Sequence, residues 1–81
     1  MDKEKHTFEN EERFCEFIRT ALKPTQTERR AFKEKKGCSQ GYISKILNDP
    51  SKSYRKGRIE LCEFMGCLVN VYDSVAVVLK D

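Results

Sequence analysis

The sequence predicts an all-α fold, a compact bundle of five helices, and three observations carry that reading. Apolar residues recur at helical spacing in separate stretches, and each set closes into one arc when successive residues are placed 100° apart. The stretches are bounded by residues that start or stop helices, with Asn10, Thr25 or Thr27, and Ser39 as caps, and Pro24 and Asn48-Asp49-Pro50 as stops. The one β-branched run, residues 71–79, has no evident second strand to pair with.

Taken in order, residues 1–9 are polar and mixed in charge and read as a flexible tail. Asn10 caps a first helix whose opening Glu11 and Glu12 suit the positive end of the helix dipole. Phe14, Cys15, Phe17, Ile18, Ala21 and Leu22 fall within an arc of about 160°, so this helix supplies core, and Pro24 ends it. A second helix opens at Thr25-Gln26-Thr27-Glu28, with only Ala31 and Phe32 apolar, and carries Arg29, Arg30, Lys33 and Lys36 along one side.

The third helix spans residues 39–48, with Ser39 as cap after the turn at Gly37. Tyr42, Ile43, Ile46 and Leu47 share an arc of about 140°, and Gln40, Gly41, Ser44, Lys45 and Asn48 fill the other side. A basic loop, residues 51–58, follows Pro50. The fourth helix, residues 59–69, is apolar on most of its circumference, with Glu60 and Glu63 marking its wet strip. Residues 71–79 are read as a short fifth helix capped at Asp73-Ser74, so residues 10–81 form a single helical domain.

Composition limits what such a domain does. Eighty-one residues make one domain near the lower size for a single core, too small for a deep ligand cavity. No apolar run approaches a membrane span and the first ten residues lack a signal-peptide core, which predicts a soluble intracellular chain. Cys15, Cys38, Cys62 and Cys67 contain no Cys-x-x-Cys pair, so they read as buried thiols rather than metal ligands or a disulfide framework. His6, the only histidine, lies in the tail, which removes most acid–base and Cys–His schemes and argues against an enzyme. No cofactor, metal or small-molecule substrate is implied.

Charge is segregated. Residues 1–18 hold six acids against three bases, and residues 59–81 hold four acids against Lys80, so each end carries −3. Residues 19–58 hold twelve Lys or Arg against three acids, a net +9 centred on the third helix. The wet face of that helix is made of short hydrogen-bonding groups rather than the usual Glu and Lys. A slim helix bearing Gln and Asn suits the reading of base edges in a major groove, because a carboxamide pairs bidentately with adenine. The expectation is double-stranded DNA, with Gln40, Gly41, Ser44, Lys45 and Asn48 at the bases. Ser39, Arg29, Arg30, Lys33, Lys36, Lys52, Arg55, Lys56 and Arg58 are then placed on the phosphate backbone.

The run Ser39-Gln40-Gly41-Tyr42-Ile43-Ser44-Lys45-Ile46-Leu47, then Asn48-Asp49-Pro50, a basic loop and Lys56-Gly57-Arg58 before an apolar helix, resembles the CUT domain of eukaryotic transcription factors. The resemblance covers roughly residues 10–68 and is most specific at Ser39-Gln40-Gly41. It implies the five-helix fold shared by POU-specific domains and lambda-repressor-like proteins, with a helix-turn-helix, a role in transcription regulation and a nuclear location. It also implies that Gln40 reads an adenine and Gln26 touches a phosphate. Ala31-Phe32 reverses the family's Phe-Ala order, Lys35 and Lys36 stand where apolar residues are usual, and Tyr54 replaces a Trp.

Two other readings stay open. One is a helical protein-interaction module of the same fold that holds a partner through the helix over residues 59–69 or through the acidic ends. The other is a phage or bacterial repressor of this fold, which would place the chain in the cytoplasm.

Overall fold

The computed structural model describes residues 4–72 and 75–80. The chain runs β1 (Glu4–Phe8), α1 (Glu11–Phe17), α2 (Gln26–Lys36), α3 (Gln40–Asn48), α4 (Arg55–Phe64), β2 (Leu68–Tyr72) and β3 (Val75–Lys80). The all-α expectation is therefore wrong. Four α-helices pack on one side of a three-stranded antiparallel sheet of order β1-β3-β2.

The error has a local cause. The tail expected over residues 1–9 contains β1, whose residues alternate: His6 and Phe8 turn inward while Lys5 and Thr7 stay exposed. The fourth helix, expected over residues 59–69, starts at Arg55 and stops at Phe64, because Gly66 adopts φ 92° and turns the chain into β2. The β-branched run divides instead of forming a fifth helix: Val71 and Tyr72 end β2, and the part from Val75 forms the central strand β3 with β1 and β2 as its partners. The cap expected at Asp73-Ser74 lies outside the described residues.

The register places Phe8 opposite Ala76 and His6 opposite Val78, while Val69 and Val71 pair with Val78 and Ala76 from the other side. Period-two alternation turns all of these toward the helices. Phe8 stacks on Phe14 with ring centres 5.0 Å apart, and both Phe8 and His6 lie against Phe17 at 5.1 and 4.6 Å. Phe14, Ile18, Phe32, Ile46, Leu61, Cys62, Ala76 and Val78 are inaccessible or nearly so. Cys15, Cys62 and Cys67 are buried and Cys38 is half-buried, and none is in a disulfide. Burial pushes the Cys15 and Cys62 thiols up, so both stay protonated.

The helix boundaries follow the sequence closely from Asn10 to Asp49. Asn10 Oδ1 accepts from the Glu12 amide at 2.8 Å and caps α1. That helix continues as a π-helical turn, Ile18–Leu22, which closes at Lys23 in the left-handed region just before Pro24. Thr25 and Glu28 form a reciprocal capping box at the start of α2, with bonds of 3.1 and 2.8 Å.

One buried ion network ties these elements together. Arg58 of α4 is 0% exposed, and its Nη2 donates to Glu11 Oε1 at 2.6 Å. Arg55 donates from Nε to the second oxygen, Glu11 Oε2, at 2.6 Å. Burial alone would raise the Glu11 carboxyl, but the hydrogen bonds and charges of the two guanidinium groups outweigh it and hold it below its ordinary value. Arg58 also donates to the carbonyls of Ile46, Asp49 and Ser51, and so binds the C-terminal end of α3.

Candidate nucleic-acid interface

Helices α2 and α3 are joined by the three residues Gly37, Cys38 and Ser39. Gly37 sits at φ 69°, a left-handed C-cap that a side chain would strain, and its amide bonds back to Lys33 O at 2.9 Å. Ser39 Oγ accepts from the Tyr42 amide at 3.1 Å and starts α3. The two helices are thus linked by a short glycine-containing turn. Phe32 anchors α2 edge-on against Phe64, with ring centres 5.5 Å apart.

Helix α3 divides as its sequence requires. Ile43, Ile46 and Leu47 are buried and Tyr42 is half-buried, while Gln40, Gly41, Ser44, Lys45 and Asn48 are all exposed. Its C-terminal end is fixed from two sides: by Arg58, and by Arg19 Nη1 donating to Leu47 O at 2.7 Å. Asn48 Nδ2 donates to Ser44 O at 3.0 Å. Lys45 lies 3.9 Å from Asp49, a loose exposed pair.

A cleft of about 270 Å³ separates the two helices, with Gln26, Arg29, Arg30 and Lys33 on one wall and Gln40, Ser44 and Asn48 on the other. A second groove continues around the end of α3 between Arg29, Asn48, Arg19 and Lys23. Residue-by-residue reading missed Arg19 and Lys23 as members of this rim. The signal was present, because the basic segment begins at Arg19.

Several expected backbone contacts are not part of this rim. Arg58 is enclosed, and Arg55 is largely covered and engaged with Glu11, so neither guanidinium is presented to a phosphate. Lys36 is paired with Glu60 of α4. Lys52 and Lys56 are exposed but line neither groove. Ser39 is exposed beside the cleft, with its hydroxyl oxygen accepting within the helix cap. In the helix expected to hold a protein partner, Leu61 and Cys62 are wholly enclosed in the core.

Gly41 gives an independent observation. Glycine inside a helix costs about 1 kcal/mol relative to alanine. A Cβ built there would meet only Ser39 Oγ, at 3.8 Å, an ordinary contact. Packing within the molecule therefore does not require the missing side chain, and its effect is to thin the outer surface of α3 beside Gln40.

No family model, curated protein or solved structure matches this chain. Among the described residues no cluster of His, Cys, Asp or Glu is arranged to hold a metal ion, and no helix is long and apolar enough to cross a membrane.

Proposed function

We propose that this chain binds double-stranded DNA in a sequence-dependent manner, with α3 in the major groove and the cations of α2 on the adjoining phosphates. The observation that carries the reading is the cleft in which Arg29, Arg30 and Lys33 stand beside a helix face of Gln40, Gly41, Ser44 and Asn48. An anionic backbone satisfies the first group and base edges satisfy the second, and a DNA duplex presents both. Nine helical residues extend about 14 Å, comparable to a major groove about 12 Å wide, and the glycine at Gly41 permits close approach.

Gln40 is the principal base-reading group, with Ser44, Lys45 and Asn48 following along the groove. Gln26, Arg29, Arg30 and Lys33 set the register on the phosphates, and Arg19 and Lys23 extend the cationic rim. Selection of bound duplexes from a random library tests this directly. The expected result is enrichment of one short motif that binds at least about a thousandfold tighter than scrambled duplex at equal salt. Recovery of no motif, or equal affinity for every duplex, removes the sequence-reading role of α3.

A further inference from the structure

Among the described residues, the large hydrophobic side chains that remain exposed all lie on β2: Leu68 at 52%, Val71 at 46% and Tyr72 at 63%. This strand is an edge of the sheet, hydrogen-bonded to β3 on one side, with no described strand on the other. Natural edge strands are protected by charge, proline or a covering element. The opposite edge, β1, carries Glu4, Lys5 and His6, whereas Leu68-Val69-Asn70-Val71-Tyr72 carries no charge and no proline.

The geometry points to a second copy of this chain as the occupant of that edge, paired antiparallel through β2 about a two-fold axis at Asn70. The segment is self-complementary. Asn70 meets Asn70 of the other copy, each Val69 meets a Val71, and each Leu68 meets a Tyr72. The Asn70 amides both donate and accept, so a two-fold pair satisfies itself on the outer face of the sheet. Val71 turns toward the helix layer and is nevertheless half-exposed because it stands at the edge; the facing Val69 covers it.

Charge does not bar this occupant at the contact itself. Each molecule carries +3 overall, which opposes association, but the basic segment over residues 19–58 does not include β2. Two neutral edges therefore meet without opposing charges inside the contact. Leu79, Val77 and Val75 of β3 lie in the row beside Leu68, Asn70 and Tyr72 and extend the apolar outer surface. Pairing edge to edge covers the β2 backbone and the flanks of Leu68, Val71 and Tyr72 on both copies, a contact no larger than the roughly 1,000 Å² expected of a stable complex, so the dimer is weak and reversible. The result is a continuous six-stranded sheet, and it forms whatever α3 reads.

Sedimentation equilibrium of the full chain, over a concentration series reaching the millimolar range, should show a reversible monomer–dimer equilibrium. Val71→Lys and Tyr72→Lys should each raise the dissociation constant by at least about tenfold, with unchanged helical circular dichroism. A wild-type chain that stays monomeric throughout overturns the proposal, as do well-folded lysine variants that dimerise undiminished. Should the lysine variants unfold, cross-linking still decides. In a Cys38→Ser background, Asn70→Cys should oxidise to a covalent dimer, because paired residues at the axis have Cα atoms about 4.5–5.5 Å apart. Thr7→Cys, on the other edge, should not. Cross-linking at Thr7→Cys alone would place the contact on β1 and refute pairing through β2.

Discussion

Arg58 and Glu11, 47 positions apart, meet with Nη2 2.6 Å from Oε1 in a site closed to solvent, and Arg58 spans from there to the last turn of α3. Removing Glu11 leaves Arg58 buried without its counter-ion, and removing Arg58 leaves Glu11 only Arg55 and takes the donor from the Ile46, Asp49 and Ser51 carbonyls, losses typically of about 3–5 kcal/mol. Arg58→Met and Glu11→Gln are each expected to lower the stability of this small domain by about that amount, read as a shift in the urea midpoint. The double variant Glu11→Gln/Arg58→Met should lose less than the two single changes added together. Additive losses would show that the pair is not coupled.

The same carboxyl predicts a pH dependence. Its folded value lies below the ordinary carboxylate value, so folding favours the ionised form. The stabilisation is fully present above the unfolded value of about 4.3 and is lost as pH falls through the lower folded value. Urea unfolding between about pH 7 and about pH 3 should therefore show acid destabilisation that shrinks in Glu11→Gln. An unchanged acid slope in that variant would assign the effect to other carboxylates.

Gln40 stands on the exposed face of α3, with no part in the apolar arc beneath it. Gln40→Ala should leave the unfolding midpoint unchanged and reduce affinity for a selected duplex by about 1–3 kcal/mol, with scrambled duplex hardly affected. Equal losses on both duplexes would make Gln40 a backbone contact.

Two glycines should respond oppositely to alanine. At Gly57 a Cβ would lie 2.6 Å from the Tyr42 hydroxyl and 2.8 Å from Ile46 Cδ1, where α3 and α4 approach each other. Gly57→Ala is expected to destabilise the fold by about 1–3 kcal/mol. Gly41→Ala, whose Cβ would meet only Ser39 Oγ at an ordinary 3.8 Å, should stabilise by about 0.5–1 kcal/mol while weakening duplex binding. Unimpaired binding in Gly41→Ala would mean that nothing approaches α3 closely at that point.

Among the lysines of α2, position decides the outcome. Lys33 lines the cleft, whereas Lys36 is held by Glu60. Lys33→Gln should reduce the slope of log affinity against log salt by about one unit on all duplexes, because one fewer counterion is released. Lys36→Gln should change it little. A reversed order would place the phosphates nearer α4.

The sequence by itself determined α1, α2 and α3, the caps at Asn10 and Ser39, and the two-faced character of α3, and narrowed the cap of α2 to Thr25 or Thr27, of which the structure uses Thr25. These features depend on neighbours within about one helical turn, where periodicity and capping chemistry act. Tertiary structure alone decided the sheet and the fate of the arginines. Phe8 finds Ala76 and Arg58 finds Glu11 across most of the chain, and no local pattern announces either pairing. The five-residue strands at each end look like a polar tail and a helix terminus until β3 lies between them. An arginine in a basic loop looks like a phosphate ligand until α4 forms and rotates it inward. Only packing decides which side of that helix faces the core, and Arg58 there holds α3 in place while the cations of α2 remain in solvent.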